Sequence, residues 1–379
     1  MQDLLRQEVA TAAHTVVVKL GTRVLTDDRG LLNHQRIAQL AEEIHELREA
    51  NRQVVVVSSG AVGAGMGQLG LKQRPRDLAQ LQAVAAIGQT HLVEAYDRAL
   101  RPYGRHAAQI LLTAEDLHDR TRYLNVRNTI LQLFKLNAVP VINENDTVAV
   151  DELQISFGDN DRLAALVTNL LRAPLLVILS DVAGLFDRDP ADPAALRIPL
   201  VTDLNQAVMG LAHDRATGVS KGGMASKLRA ARLATSAGEN VIIAPGKEPG
   251  SLGKILRGED VGTLFCAQGS TVSPWKRWIG FAVQPRGKLL LDEGAETAVV
   301  QQGRSLLAIG VVEVQGAFQK GDVVVICNQS GQEIARGLTN YRAEELRQIQ
   351  GLKSTAIAAA LGHCPYEEVV HRDNMVVTA

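Results

Sequence analysis

The stretch VINENDTVAVDELQISFGDNDRLAAL, residues 141–166, runs from a short apolar strand into a dense set of amides and carboxylates and then into a helical segment. Asn143, Glu144, Asn145 and Asp146 follow directly on the strand-like residues 139–142, and Asp159, Asn160 and Asp161 open the helical part. A strand that ends in polar side chains and is followed by a helix is a repeating piece of an open α/β sheet. Such sheets bind ligands beyond the carboxyl ends of their strands. Two acid-and-amide clusters should therefore converge at one sheet edge, where a small polar substrate is expected to sit.

Outward from that edge, apolar and β-branched runs recur at residues 15–20, 54–58, 108–112, 139–142, 175–180 and 240–244, with helical segments between them. Runs such as VVVV and LLVIL do not alternate with polar residues, so both faces of the sheet are buried. The predicted architecture is a three-layer αβα sandwich with a mainly parallel sheet. Between the first two runs, Ile37, Leu40, Ala41, Ile44 and Leu47 form one apolar stripe at helical spacing, with Glu42, Glu43, Glu46 and Arg48 elsewhere on the helix. Past residues 262–265 the texture changes to short, glycine-punctuated runs at 288–291, 310–314, 323–327 and 333–337, which predicts a small β-rich second domain. The expected division is 1–270 and 271–379, the second part including a linker and a C-terminal extension. A chain of 379 residues fits two domains at roughly 150 residues each.

Composition narrows the function classes. With 46% hydrophobic residues, 21% charged residues and a net charge of −1, the chain has no global charge that would draw nucleic acid or a membrane surface. The second domain is neutral as well, with eleven Lys and Arg against eleven Asp and Glu. No apolar run approaches the ~20 residues of a spanning helix. The N-terminal MQDLLRQEVATAA carries acids and glutamines where a signal peptide needs a positive start and an apolar core, so a cytoplasmic location is expected. Cys266, Cys327 and Cys364 are far apart and outside any CxxC spacing, which points to neither a disulfide framework nor a zinc site, and no structural metal is expected.

Three further segments carry chemistry. VVVKLGT places Lys19 near the carboxyl end of the first strand with Gly21 and Thr22 just beyond; the residue is either a lysine snorkelling from a strand end or a phosphate ligand. VVVVSSGAVGAG brings Ser58, Ser59 and Gly60 to the same sheet edge, glycine allowing close backbone approach to a ligand. GVSKGGMASK, residues 218–227, leads glycine and two lysines into a helix, an arrangement suited to phosphate, although a loop with two solvated lysines would look alike. Other matches are discarded. Gly65, Gly67 and Gly70 spell GxGxxG, but they start well after the strand and no acid-ended second strand follows. His371, Arg372 and Asp373 spell HRD without a following DFG, and no GxxxxGK[ST] is present.

Taken together, VVVKLGT, VSSGAV, VPVINENDTV, GDND, LSDVAGLF and KGGMASK, in this order and spacing, resemble the amino acid kinase family. The segment LLLDEGAETAVVQQGRSLLAIGVVEVQGAFQKGDVV is similar to a PUA domain. The combination resembles the branch of the family that carries a PUA extension. It implies transfer of a phosphoryl group from ATP, with Mg²⁺, to the γ-carboxylate of L-glutamate, the first step towards proline. The resemblance also implies feedback inhibition by proline, a homo-oligomer and a glutamyl phosphate reductase as functional partner. A PUA domain admits RNA as a partner, although the neutral charge gives RNA no electrostatic support.

Carried over by position, the resemblance implies that Lys19 and Lys227 flank the phosphoryl group, that the backbone N–H groups of Gly21 and Gly60 meet its oxygens, and that Asp161 orients the lysines. Ser59, Asp146, Asn160 and Asn143 would hold the amino acid, with Asp146 facing its ammonium group. ATP would lie along Ser180, Asp181 and the loop Lys221, Gly222, Gly223, Met224, Ala225, Ser226 and Lys227. Asp159 stays between substrate binding and a helix N-cap. Three positions depart from the expected pattern. Ser180 stands for a threonine, Lys221 for a threonine before GGM, and Phe186 with Asp187 for a Tyr-Thr pair. Two alternatives remain open at this stage: an acetylglutamate, aspartate or uridylate kinase of the same family, and an RNA-binding PUA protein on an inactive kinase scaffold.

Overall fold

The computed structural model describes residues 2–27, 30–148, 160–212, 223–268, 274–363 and 366–378. The chain divides into two compact units, residues 1–117 with 121–270, and residues 118–120 with 271–379.

In the first unit the strands are β1 (Thr15–Leu20), β2 (Gln53–Ser58), β3 (Ala107–Leu112), β4 (Val139–Glu144), β5 (Leu175–Ser180), β6 (Leu200–Val201), β7 (Asn240–Pro245) and β8 (Thr263–Phe265). They form one sheet in the order β3-β4-β2-β1-β5-β7-β8-β6. All neighbours pair parallel except β7 with β8, which pair antiparallel. The helices are α1 (Gln2–Ala12), α2 (Thr22–Leu25), α3 (His34–Glu49), α4 (Ala61–Leu69), α5 (Leu78–Leu100), α6 (Ala114–His118), α7 (Arg120–Lys135), α8 (Asn160–Leu171), α9 (Gln206–Gly210), α10 (Met224–Ser236) and α11 (Ser251–Leu256).

The two faces of the sheet are assigned by the two-residue period of a strand. Val16, Val18 and Leu20 of β1, Val54 and Val56 of β2, and Val139 and Val141 of β4 join one buried cluster with Ile37, Leu40 and Ile44 of α3 and Leu92, Tyr96 and Leu100 of α5. The opposite face of β1, to which Val17 and Lys19 belong, is covered by α8. β1, β4 and β5 are buried along their whole length, which is why their runs lack polar alternation. Asn33 and Asp77 set the starts of α3 and α5, each accepting a hydrogen bond from a backbone N–H three residues on, at 2.9 Å.

The apolar stripe of α3 is buried as its spacing predicts, and Glu43 is buried with it. Its carboxylate pairs with Arg36 at 3.2 Å and accepts from the N–H groups of Gly250 and Leu252 at the start of α11. A carboxylate on free helix-start N–H groups and a guanidinium has its charge compensated, which makes this burial tolerable.

The glycines of the GxGxxG match have packing and capping roles. A Cβ on Gly65 would overlap the carbonyl of Val84, and one on Gly88 would overlap the backbone of Ala61 and Gly65. α4 and α5 thus touch backbone to backbone at this pair of glycines. Gly70 ends α4 with φ 66°, the left-handed conformation of a helix C-terminus.

The second unit holds a five-stranded mixed sheet. Its strands are β9 (Gly287–Leu291), β11 (Val311–Gly316), β12 (Val323–Cys327), β13 (Glu333–Leu338) and β15 (Met375–Val377), in the order β11-β9-β12-β13-β15. A separate pair joins β10 (Leu306–Leu307) to β14 (Glu368–Val370). Helices α12 (Pro274–Arg277), α13 (Glu293–Val300), α14 (Ala343–Ile349) and α15 (Ser354–Leu361) accompany them. The HRD match is a turn between β14 and β15, in which His371 Nδ1 accepts from the N–H of Asp373 at 3.2 Å.

Candidate active site

The carboxyl ends of β1, β2, β4 and β5 lie side by side, and the polar residues of the sequence motifs collect along this edge. Lys19 is the fifth residue of β1, flanked in register by Val57 and Ile178. Its period places it on the face covered by α8, and there its Nζ lies 2.6 Å from Oδ1 of Asp161, the second residue of that helix. Lys227, in the first turn of α10, brings its Nζ to 3.2 Å from the other oxygen of the same carboxylate. α8 and α10 pack on each other, which holds the two cationic groups around one anion. Asp161 is fully buried and both lysine side chains are 7% exposed.

Burial alone would raise the Asp161 carboxyl. The charges of Lys19 and then Lys227, with their hydrogen bonds, overcome it and hold the group below the ordinary carboxylate range. Two ammonium groups thus meet around one carboxylate in a nearly water-free site. That site is suited to an anion passing between two oxygens.

A second polar chain starts beside the first. Asn160 Nδ2 donates to Ser59 Oγ at 2.9 Å and to Asn143 Oδ1 at 3.1 Å. Asn143 Oδ1 also accepts from the N–H of Glu144 at 2.9 Å, and Asn143 Nδ2 donates to Gln89 Oε1 of α5 at 2.8 Å. Next to Ser59, Gly60 has φ 108° and starts α4. That conformation is open to glycine at little cost. Among the described residues its N–H meets no acceptor, whereas the N–H of Gly21 is taken up by Leu179 O at 3.3 Å. Gly60 is thus placed as an N–H donor at the site, and Gly21 is placed as the start of α2.

Asp146 lies just past β4 and is half-buried. Desolvation pushes its carboxyl up, opposed by the charge of Arg74. On the other side of the edge, Ser180 is buried at the end of β5 and donates to Asp181 Oδ1 at 3.1 Å. Asp181 pairs with Arg23 of α2 at 2.8 Å. Burial would raise this carboxyl, and the hydrogen bonds from Arg23 and Ser180 bring it below its ordinary range. Gly223 is the N-cap of α10, and Met224, Ala225, Ser226 and Lys227 form its first turn, an N-terminus of the kind that binds anions. Lys221, Gly222 and Asp159 lie outside the described residues.

Three residues of this region carry no motif signal: Arg23, Gln89 and Tyr96. Tyr96 is fully buried and its hydroxyl lies 3.0 Å from Ser58 Oγ, which ties the end of β2 to α5. A parallel-sheet register is needed to bring these three to the edge. Among the described residues, no group of three or more His, Cys, Asp or Glu is placed to hold a metal ion, and no helix is long and apolar enough to cross a membrane.

A mainly parallel sheet with two buried lysines around one carboxylate at its carboxyl edge, beside a chain of hydrogen-bonded amides, defines a phosphotransferase that acts on a small polar acceptor. The chain belongs to the amino acid kinase family: the profile described as "Amino acid kinase family" matches residues 14–245, and that of the PUA domain matches residues 287–361. It is 48% identical to a protein of Rhodopirellula baltica described as "Glutamate 5-kinase", over 98% of this chain and 96% of that one. It is 43% identical to one of Pelobacter propionicus with the same description, over 98% and 100%, and 46% identical to one of Moorella thermoacetica, over 96% of each. Among solved structures, a carbamate kinase from Giardia lamblia bound to AMP-PNP shares the fold with a TM-score of 0.50 at 19% identity, covering 67% of this chain and 98% of that one.

Proposed function

We propose that the protein transfers the γ-phosphoryl group of ATP to the γ-carboxylate of L-glutamate, giving γ-glutamyl phosphate and ADP. The observation that carries this reading is the Lys19–Asp161–Lys227 triad beside the Ser59–Asn160–Asn143 chain. The full-length relatives described as glutamate 5-kinases support the choice of acceptor.

The chemistry asks for no strong base. The acceptor carboxylate is already ionised at neutral pH, so one of its oxygens attacks the γ-phosphorus, the bond from that phosphorus to the bridging oxygen breaks, and ADP leaves with the electron pair. The barrier is repulsion between anions together with charge on the transferring group. Lys19 and Lys227 meet that charge from two sides, Asp161 holds them in place, and Gly60 N–H adds a donor. The first turn of α10 receives the nucleotide phosphates, with Lys221 and Gly222 preceding it, and Ser180 and Asp181 line the nucleotide side. Asp146 pairs with the α-ammonium group of glutamate, which explains the value of a carboxylate whose own surroundings leave it undercompensated. Magnesium would enter with ATP, held chiefly by the phosphates, and would supply further neutralisation of the β- and γ-oxygens. Proline as a feedback inhibitor overlapping the glutamate site, a homo-oligomeric cytoplasmic assembly, and a reductase that consumes the labile acyl phosphate belong to the same reading.

The test is ADP release from Mg-ATP with L-glutamate, N-acetylglutamate, L-aspartate and UMP offered separately, with hydroxylamine present to trap acyl phosphate. Turnover and a hydroxamate with glutamate alone are expected. Silence with all four in a folded sample would overturn the reading and make nucleic-acid binding by the PUA domain the next question.

A further inference from the structure

We infer that Gln89 is a positioning residue that anchors the amide chain leading to Ser59 by accepting from Asn143, and so keeps the Ser59 hydroxyl presented to the substrate as a donor. The inference rests on the glutamate reading above.

The direction of the chain follows from its one fixed member. The N–H of Glu144 can act only as a donor, so the Asn143 atom it meets at 2.9 Å is the carbonyl Oδ1. Asn143 Nδ2 must then donate, and the atom it meets at 2.8 Å is Gln89 Oε1. With Asn143 Oδ1 an acceptor, Asn160 turns its Nδ2 towards it at 3.1 Å, and the same amide nitrogen donates to Ser59 Oγ at 2.9 Å. Ser59 Oγ is thereby occupied as an acceptor, and its own proton is left to point at an incoming carboxylate.

Gln89 anchors the far end of this chain. Both Gln89 and Asn143 are buried, and the orientation imposed on Gln89 leaves its Nε2 enclosed without a hydrogen-bond partner among the described residues. An enclosed donor without an acceptor is costly, so the amide is held in this orientation against its own preference. The same turn of α5 contains Gly88, whose missing Cβ lets the backbone of Ala61, next to Gly60, close on α5. One turn of one helix therefore fixes the Gly60 donor through Gly88 and the Ser59 donor through Gln89.

The test compares Gln89→Met, which keeps the size and removes the acceptor, with Gln89→Glu, which keeps an acceptor oxygen at the same place. Expected for Gln89→Met is a rise in the KM for glutamate of about tenfold, the equivalent of one hydrogen bond, with the KM for ATP unchanged. Gln89→Glu should restore most of the loss. In a Ser59→Ala background, Gln89→Met should add little, since its effect passes through that hydroxyl. A glutamate KM left unchanged in Gln89→Met, equal effects on both substrates, or full additivity with Ser59→Ala would each overturn the role of Gln89. If Gln89→Met does not fold, Gln89→Glu decides: a KM near wild type supports the role, and a tenfold rise overturns it. Wild-type protein that makes no hydroxamate from glutamate would instead overturn the assigned reaction, and this role with it.

Discussion

At the scale of single residues, Asp161 has two separable jobs, holding two lysines for catalysis and neutralising them for folding. Replacing it with alanine removes the carboxylate that two buried ammonium groups share, and a loss of about 3–5 kcal/mol is expected from urea unfolding. Because its folded-state carboxyl is held below the ordinary range, the stabilisation is present above the unfolded value of about 3.9 and is lost as pH falls through the lower folded value. The stability gap between wild type and Asp161→Asn should therefore close at acid pH, which urea midpoints measured between pH 3 and 6 would show. Asp146 works in the opposite sense. Its carboxyl is raised by desolvation, so kcat/KM for glutamate should fall along an acid limb that lies above the usual carboxylate value, and Asp146→Asn should remove that limb. Asp146→Ala should raise the glutamate KM by about 10–100-fold, the scale of a charged hydrogen bond, with little effect on ATP; equal effects on both substrates would remove Asp146 from the ammonium site. Lys227→Ala should lower kcat by about 100–1000-fold, as loss of one transition-state charge partner does, and a kcat near wild type would take it out of the site.

At the scale of elements, the glycine contact between α4 and α5 is the joint on which the Ser59–Gly60 corner depends. Gly88→Ala would force the two backbones apart; a loss of about 1–3 kcal/mol in unfolding free energy and a drop in kcat are expected together. The strands were legible because each major one is built on a short apolar run: β1 and β5 occupy the residues their sequences predict, and the others differ by one or two at their ends. β6 and β8, with two and three residues, carry no such signal, and the antiparallel turn of β8 against β7 is a matter of chain path. In the second unit the four glycine-bounded β runs were readable. The helices at 293–300, 343–349 and 354–361 were not, being short and set among strand-like neighbours. The site divides along the same line. Lys19, Asp161, Lys227, Ser59 and Asn160 were reached through the motifs that resemble the family. Gln89 and Tyr96 lie on the apolar face of a long amphipathic helix, where only the register of β2 and β4 against α5 reveals their use.

At the scale of the whole molecule, every described residue of the candidate site belongs to the first compact unit. A chain ending at Ser270 is therefore expected to keep the KM values of the full chain for glutamate and ATP, as steady-state assays of the two would show. The buried triad has a consequence for the protein between turnovers. Two buried cationic groups that meet at one edge of the sheet favour a bound anion, so an anion that settles there adds to the stability of the folded protein. Its melting temperature should then depend on the buffer, rising in phosphate or sulfate relative to chloride at equal ionic strength, and most with nucleotide. A cell rich in ATP would keep the protein permanently braced. Starvation for nucleotide would loosen it, and the enzyme's lifetime would follow the energy state of the cell.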